Sequence, residues 1–222
     1  MKTVSIVLFA SFTCAALSTT AHAHIHLTVN TASGTPGDQV QIVAGYLAAD
    51  TGYTISGNRL LFNGEIAVFD VTELLDQPGD FNGWYSGDEI LLTSDFYAAT
   101  GNLDGGNFMW EIASVDPLSG GPATFAWGEF SDEDGEFSAS AFSTGLTQLD
   151  RSFDTAFAQH NHDQGYAFSA LGVYDVTLIA WDSNGLYSNS DPVTVRFNVI
   201  PAPGALALFG LAGLSRTRRR RA

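Results

Sequence analysis

Cysteine is nearly absent from this chain. Of 222 residues only Cys14 carries a thiol, and it lies inside an apolar stretch at the N-terminus. Once that stretch is removed no disulfide is possible, so a sizeable apolar core has to hold the fold. Positive charge is just as scarce in the body. Lys2 and the arginines at 216 and 218–221 sit at the two ends; between residues 24 and 200 only Arg59, Arg151 and Arg196 face all 24 acids, a balance of −21. A surface of that sign repels nucleic acid and anionic headgroups and attracts cations. Catalytic signatures are missing too. There is no Gly-x-Ser-x-Gly elbow, phosphate loop or HExxH, and no cysteine nucleophile outside the apolar stretch. A glycosidase pair would have acids enough, but no spacing selects one. The expectation is a protein that is not an enzyme.

No apolar run is long enough for a comfortable membrane span. Residues 4–17 follow Lys2 and lead to Ala21-His22-Ala23, a small-x-small cleavage site. This is the order of a secretory signal, with residues 1–23 removed by signal peptidase. The expected location is the cell envelope, cell surface or extracellular matrix.

What the body does have is alternation. Tyr174, Val176, Leu178 and Ala180 share one face of a strand, with Asp175 and Thr177 on the other; Val193, Val195, Phe197 and Val199 repeat the pattern. Gly172 permits a tight entry to this pair, which reads as the closing strands of a sandwich. Ile25, Leu27 and Val29 alternate with His24 and His26, which share the opposite face. Asn63-Gly64 is the strongest two-residue hairpin signal, between strands at 59–62 and 65–71. Further strands are expected near 39–46, 89–97, 107–115 and 124–130. Residues 74–87 read as a loop, with Trp84 and Tyr85 covering one end of the core. Residues 131–136 read as a solvated acidic turn, with a partial likeness to a calcium loop. Residues 137–145 fit a strand or a Ser/Ala-rich loop, and 149–159 a short helix. Short strands separated by Gly-rich turns predict an all-β fold, a single antiparallel β-sandwich of Ig-like or jelly-roll type. The expected domains are a signal at 1–23, the sandwich at 24–199 and a tail at 200–222.

The tail is built in three parts: Pro201-Ala202-Pro203, an apolar run at 205–214, and the arginine cluster. As a helix the run would cover only about 15 Å of a hydrocarbon core about 30 Å thick. In its order the tail resembles the PEP-CTERM sorting signal of bacterial exported proteins. That resemblance implies recognition and removal by exosortase, with transient membrane contact through the tail. It also implies a place among surface or matrix proteins, where extracellular polysaccharide is a possible partner. In the body, His160-Asn161-His162 followed by Phe168-Ser169 and Gly172-Val173-Tyr174 resembles PEP-CTERM surface proteins repressed by the zinc-uptake regulator, which implies a role in zinc acquisition.

Histidine is the residue type that stands out. Apart from His22, the histidines form two His-x-His pairs, His24/His26 and His160/His162. On extended backbone each pair presents both imidazoles on one face, as zinc or copper sites need. The expected metal set is His24, His26, His160 and His162, with Asp163 as an oxygen donor and zinc as the ion. Cleavage after Ala23 would make His24 the first residue, and its amine and imidazole could then chelate copper. That arrangement resembles the histidine brace of copper-dependent polysaccharide monooxygenases. Three readings follow: a zinc-binding surface protein, a structural matrix protein without a metal site, and a copper enzyme.

Overall fold

The computed structural model describes residues 24–44, 51–93, 106–154 and 163–201. In chain order its strands begin with β1 (Ile25–Thr31), β2 (Val40–Ala44), β3 (Tyr53–Ser56), β4 (Arg59–Phe62), β5 (Glu65–Ile66) and β6 (Val68–Val71). The middle of the chain forms β7 (Glu73–Leu74), β8 (Tyr85–Gly87), β9 (Ile90–Thr93), β10 (Phe108–Gly120) and β11 (Phe125–Phe130). Then come β12 (Phe137–Phe142), β13 (Ser152–Asp154), β14 (Gln164–Phe168), β15 (Gly172–Asp182) and β16 (Val193–Val199). The fold is an all-β sandwich, as the alternation predicts.

Three sheets make up its layers. The largest runs β13-β10-β15-β16-β4-β3, with β5 beside β4 and β6 beside β16; the second runs β12-β11-β14-β8-β7 and the third β2-β1-β9. Most neighbours are antiparallel, but β1–β9, β16–β4 and β16–β6 are parallel. The expected β15–β16 pair forms, from Gly172↔Val199 to Leu178↔Val193. It does not close the sheet, however. β10 lies on one side of it and β4 and β6 on the other, so the pair is central, which suits the most regular apolar alternation in the chain.

The core is aromatic. Phe125, Trp127, Tyr166 and Phe168 of the second sheet face Phe197 of the first, whose ring centroid lies 4.8 Å from Tyr166 and 5.2 Å from Phe168. Ile25, Leu27, Val29, Ile90 and Leu92 of the third sheet join the same cluster. The outer face of the second sheet carries a smaller cluster in which Phe81 packs on Trp84, Phe137 and Phe142. Trp84 therefore covers apolar surface, as expected, although residues 85–87 are strand β8 and not loop.

Local chemistry accounts for the turns. Asn63 and Gly64 take φ of 51° and 86°, the left-handed pair a tight hairpin needs, and Phe62↔Glu65 closes β4 onto β5. At Gly172, φ is 153° and an added Cβ would stand 2.4 Å from the Ser119 carbonyl oxygen, so only glycine fits the entry to β15. In the described part of the helix expected over 149–159, residues 149–154, no α-helix forms. Leu149–Arg151 makes a single 3-10 turn and Ser152 then enters β13. Tertiary packing overrides helix propensity here, because Phe153 stacks on Trp127 at 5.4 Å and β13 pairs with the edge of β10.

The second and third sheets are joined in two ways. The β8–β9 segment leaves one sheet at Asp88-Glu89 and enters the other. Beside it, the Leu92 N–H donates to Gln164 Oε1 at 3.1 Å, and Gln164 Nε2 donates back to the Leu92 carbonyl at 2.9 Å. A side-chain carboxamide thus takes the place of a neighbouring strand.

Candidate metal centre

β1 follows directly from the His24-Ile25-His26-Leu27 alternation. Ile25, Leu27 and Val29 enter the core with at most 2% exposure. The opposite face, which a half-buried strand would show to water, is also buried: His26 is 2% exposed and Thr28 3%. β1 is the middle strand of its sheet, with His26 opposite Leu91 and Thr28 opposite Thr93, whose hydroxyls lie 2.8 Å apart. His24 and His26 share that face as the period of two requires. Their ring centroids are 4.9 Å apart with planes at 76°, an edge-to-face pair. His26 is therefore built into the sheet, and half-buried His24 stands one residue before β1 with its ring against that of His26.

Asp163 is half-buried at the entrance to β14, where its carbonyl accepts the Phe130 N–H at 2.7 Å. The next residue is Gln164, whose amide holds Leu92 of β9, the strand paired with β1. Asp163 is thus the chain neighbour of the residue that joins β14 to β9, and it does not complete a three-residue metal group with His24 and His26. His160 and His162 lie outside the described residues. Among the described residues no group of three or more His, Cys, Asp or Glu side chains is placed to hold a metal ion.

The electrostatic setting is more one-sided than the charge count alone implies, because every body arginine has a partner. Arg196 Nε and Arg59 Nη2 lie 2.8 and 2.9 Å from the two oxygens of Asp175, and Arg151 Nη2 lies 2.6 Å from Glu111. Two carboxylates hold all three guanidinium groups in ion pairs. Several of the other acids are held ionised by local donors. The Ser33 hydroxyl and N–H lower the Asp38 pKa, the Ser131 hydroxyl that of Asp134, and the Thr147 N–H and hydroxyl that of Asp150.

Asp182 has a different role that its place in a turn did not reveal. It is 5% exposed, and its oxygens accept the backbone N–H groups of Asn107, Asn184, Leu186 and Tyr187 at 2.7–3.2 Å. Four donors satisfy this buried carboxylate, so it organises the loop after β15. The only sequence signal for this was an aspartate opening Asp182-Ser183-Asn184-Gly185, where such side chains cap turns. The acidic turn at 131–136 is exposed and closed by its own bonds, Gly135 N–H to the Ser131 carbonyl and Glu136 N–H to Asp134 Oδ1.

No protein family, curated protein or solved structure matches this chain.

Proposed function

We propose that this protein is an exported cell-surface or matrix β-sandwich that binds a divalent cation, zinc, through His24, His26, His160 and His162, with Asp163 as an oxygen donor. The observation that carries this reading is the His24/His26 pair. Two nitrogens bound to one tetrahedral zinc at about 2.0–2.1 Å stand about 3.3 Å apart, and imidazoles with centroids 4.9 Å apart can reach that geometry by small rotations. The net negative field, with every body arginine engaged elsewhere, favours a cation.

Zinc titration of the mature chain tests the reading. The His160→Ala/His162→Ala variant should bind at least tenfold more weakly, and so should His24→Ala. Equal affinity in the double variant removes that pair as ligands, and absence of any zinc binding by the parent chain leaves the structural matrix reading. The export part of the proposal places signal peptidase cleavage before His24 and exosortase processing in the tail. It rests on the order of the N-terminal apolar stretch, the small-x-small site and the three-part tail in the sequence. N-terminal sequencing of the secreted protein should begin at His24; a start at Met1 refutes it.

A further inference from the structure

Away from the histidine face, a cavity of about 320 Å3 opens between β3, β4 and β6 on one side and the start of β1 and the Glu89 turn on the other. This is the lower end of the range for small-ligand sites. One wall is aromatic: Tyr53 lies 4.8 Å from Phe62 and stacks on Phe69 at 6.3 Å and 16°. Phe62 is 43% exposed, a large apolar ring left facing solvent. Two acids also line the cavity, Asp70 of β6 and Glu89 of the opposite turn. Asp70 is held by Asn198 Nδ2, which donates to its Oδ1 at 2.8 Å, and Glu89 is placed by its own carbonyl, which accepts the Ile25 N–H at 2.8 Å. No cationic residue lines the cavity among the described residues. Arg59, on the same strand as Phe62, is bound to Asp175 instead.

We propose that this cavity binds a small organic cation, an ammonium or guanidinium group carried on a short apolar stem. The stem covers Phe62 and Ile25, the charge meets the carboxylates of Asp70 and Glu89, and the ring faces of Tyr53 and Phe62 add cation–π attraction. A strongly hydrated inorganic cation would leave the apolar surface of the aromatic wall uncovered, and a neutral apolar molecule would gain nothing from the acids. The assignment is independent of the zinc reading, since it uses neither histidine pair.

The probe is butylguanidinium, titrated into the full chain while the ring resonances of Tyr53 and Phe62 are followed by NMR, with butylurea as the neutral isostere. Saturable binding should shift both rings, and butylurea should bind at least tenfold more weakly. Asp70→Asn, which keeps an oxygen for Asn198, should weaken butylguanidinium at least fivefold, and Phe62→Leu at least twofold. Asp132→Asn, an exposed acid outside the cavity, should change it less than twofold. Equal losses in Asp70→Asn and Asp132→Asn would show attraction to the diffuse acidic field and overturn the site. Equal binding of butylurea would overturn the cation assignment. If replacing the tail arginines by glutamine strengthens binding, the chain's own tail is the occupant, and the assignment to a separate ligand fails.

Discussion

Two glutamines in this protein make the same bonds in different places. Gln164 clasps both backbone groups of Leu92 and joins two sheets; Gln77 does the same to Phe137, donating to its carbonyl at 2.9 Å and accepting its N–H at 2.8 Å, and ties the loop after β7 to β12. Each carboxamide stands in for a strand where the ladder has none. The difference is solvent. Gln164 is 4% exposed and holds a seam beside the core, whereas Gln77 is half-buried on the outer flap. A buried peptide group deprived of its partner costs the full desolvation penalty, while one near the surface recovers a bond from water. Equal geometry therefore should not mean equal stability.

Substitution of Gln164 by Leu gives the largest expected effect. It leaves the Leu92 N–H and carbonyl unpaired in the seam, at about 3–5 kcal/mol for the two groups. Urea unfolding measures this, and a loss below about 1 kcal/mol would show that the seam rests on apolar contact alone. Gln164→Glu sharpens the point, because a carboxylate still accepts from the Leu92 N–H but cannot donate to its carbonyl.

An intermediate effect is expected at Asp175, where side chains of β4, β15 and β16 are tied together. Burial works to raise its pKa, but the hydrogen bonds and charges of Arg196 and Arg59 outweigh burial and hold the carboxyl below its ordinary value. A depressed folded-state pKa contributes stability above the unfolded value of about 3.9, and that contribution is lost as pH falls through the folded value. Asp175→Asn should cost about 2 kcal/mol at pH 7, in the range of hydrogen bonds to charged groups. It should also flatten the fall of Tm below about pH 4, and an unchanged acid limb in the variant would assign that limb to other carboxylates.

Gln77→Leu completes the comparison with the smallest loss, about 1 kcal/mol. A loss equal to that of Gln164→Leu would mean that the outer flap is as dry as the seam, and that exposure does not separate the two clasps.

The elements that could be read from the sequence are those whose signal is local. Asn63-Gly64 announces its hairpin because two adjacent residues can reach the left-handed region together. The alternation in β15 and β16 shows which side chains enter the core because the pleat has a period of two. Gln164 gives no such signal. In sequence it is one polar residue after His160-Asn161-His162-Asp163, and its partner is 72 residues away. β3 and β13 were also missed, since four and three residues at a sheet edge carry too little pattern to separate them from loop. For the candidate site, the sequence located the His24/His26 pair and its common face, but not that this face is buried.

The sequence by itself determined the all-β character, the tight turns and the lack of body cations, because these follow from residue type and from neighbours along the chain. Tertiary structure alone decided that β6 lies parallel to β16, that His26 is enclosed, and that three arginines converge on two acids. It also decided that Asp182 collects four N–H groups and that aromatic rings of β3, β4 and β6 share one cavity with the acids Asp70 of β6 and Glu89 of the turn before β9. Each of these depends on chemical groups far apart in the chain meeting at hydrogen-bond or van der Waals distance. The packing of sheets brings them together, and no periodicity along the chain encodes it.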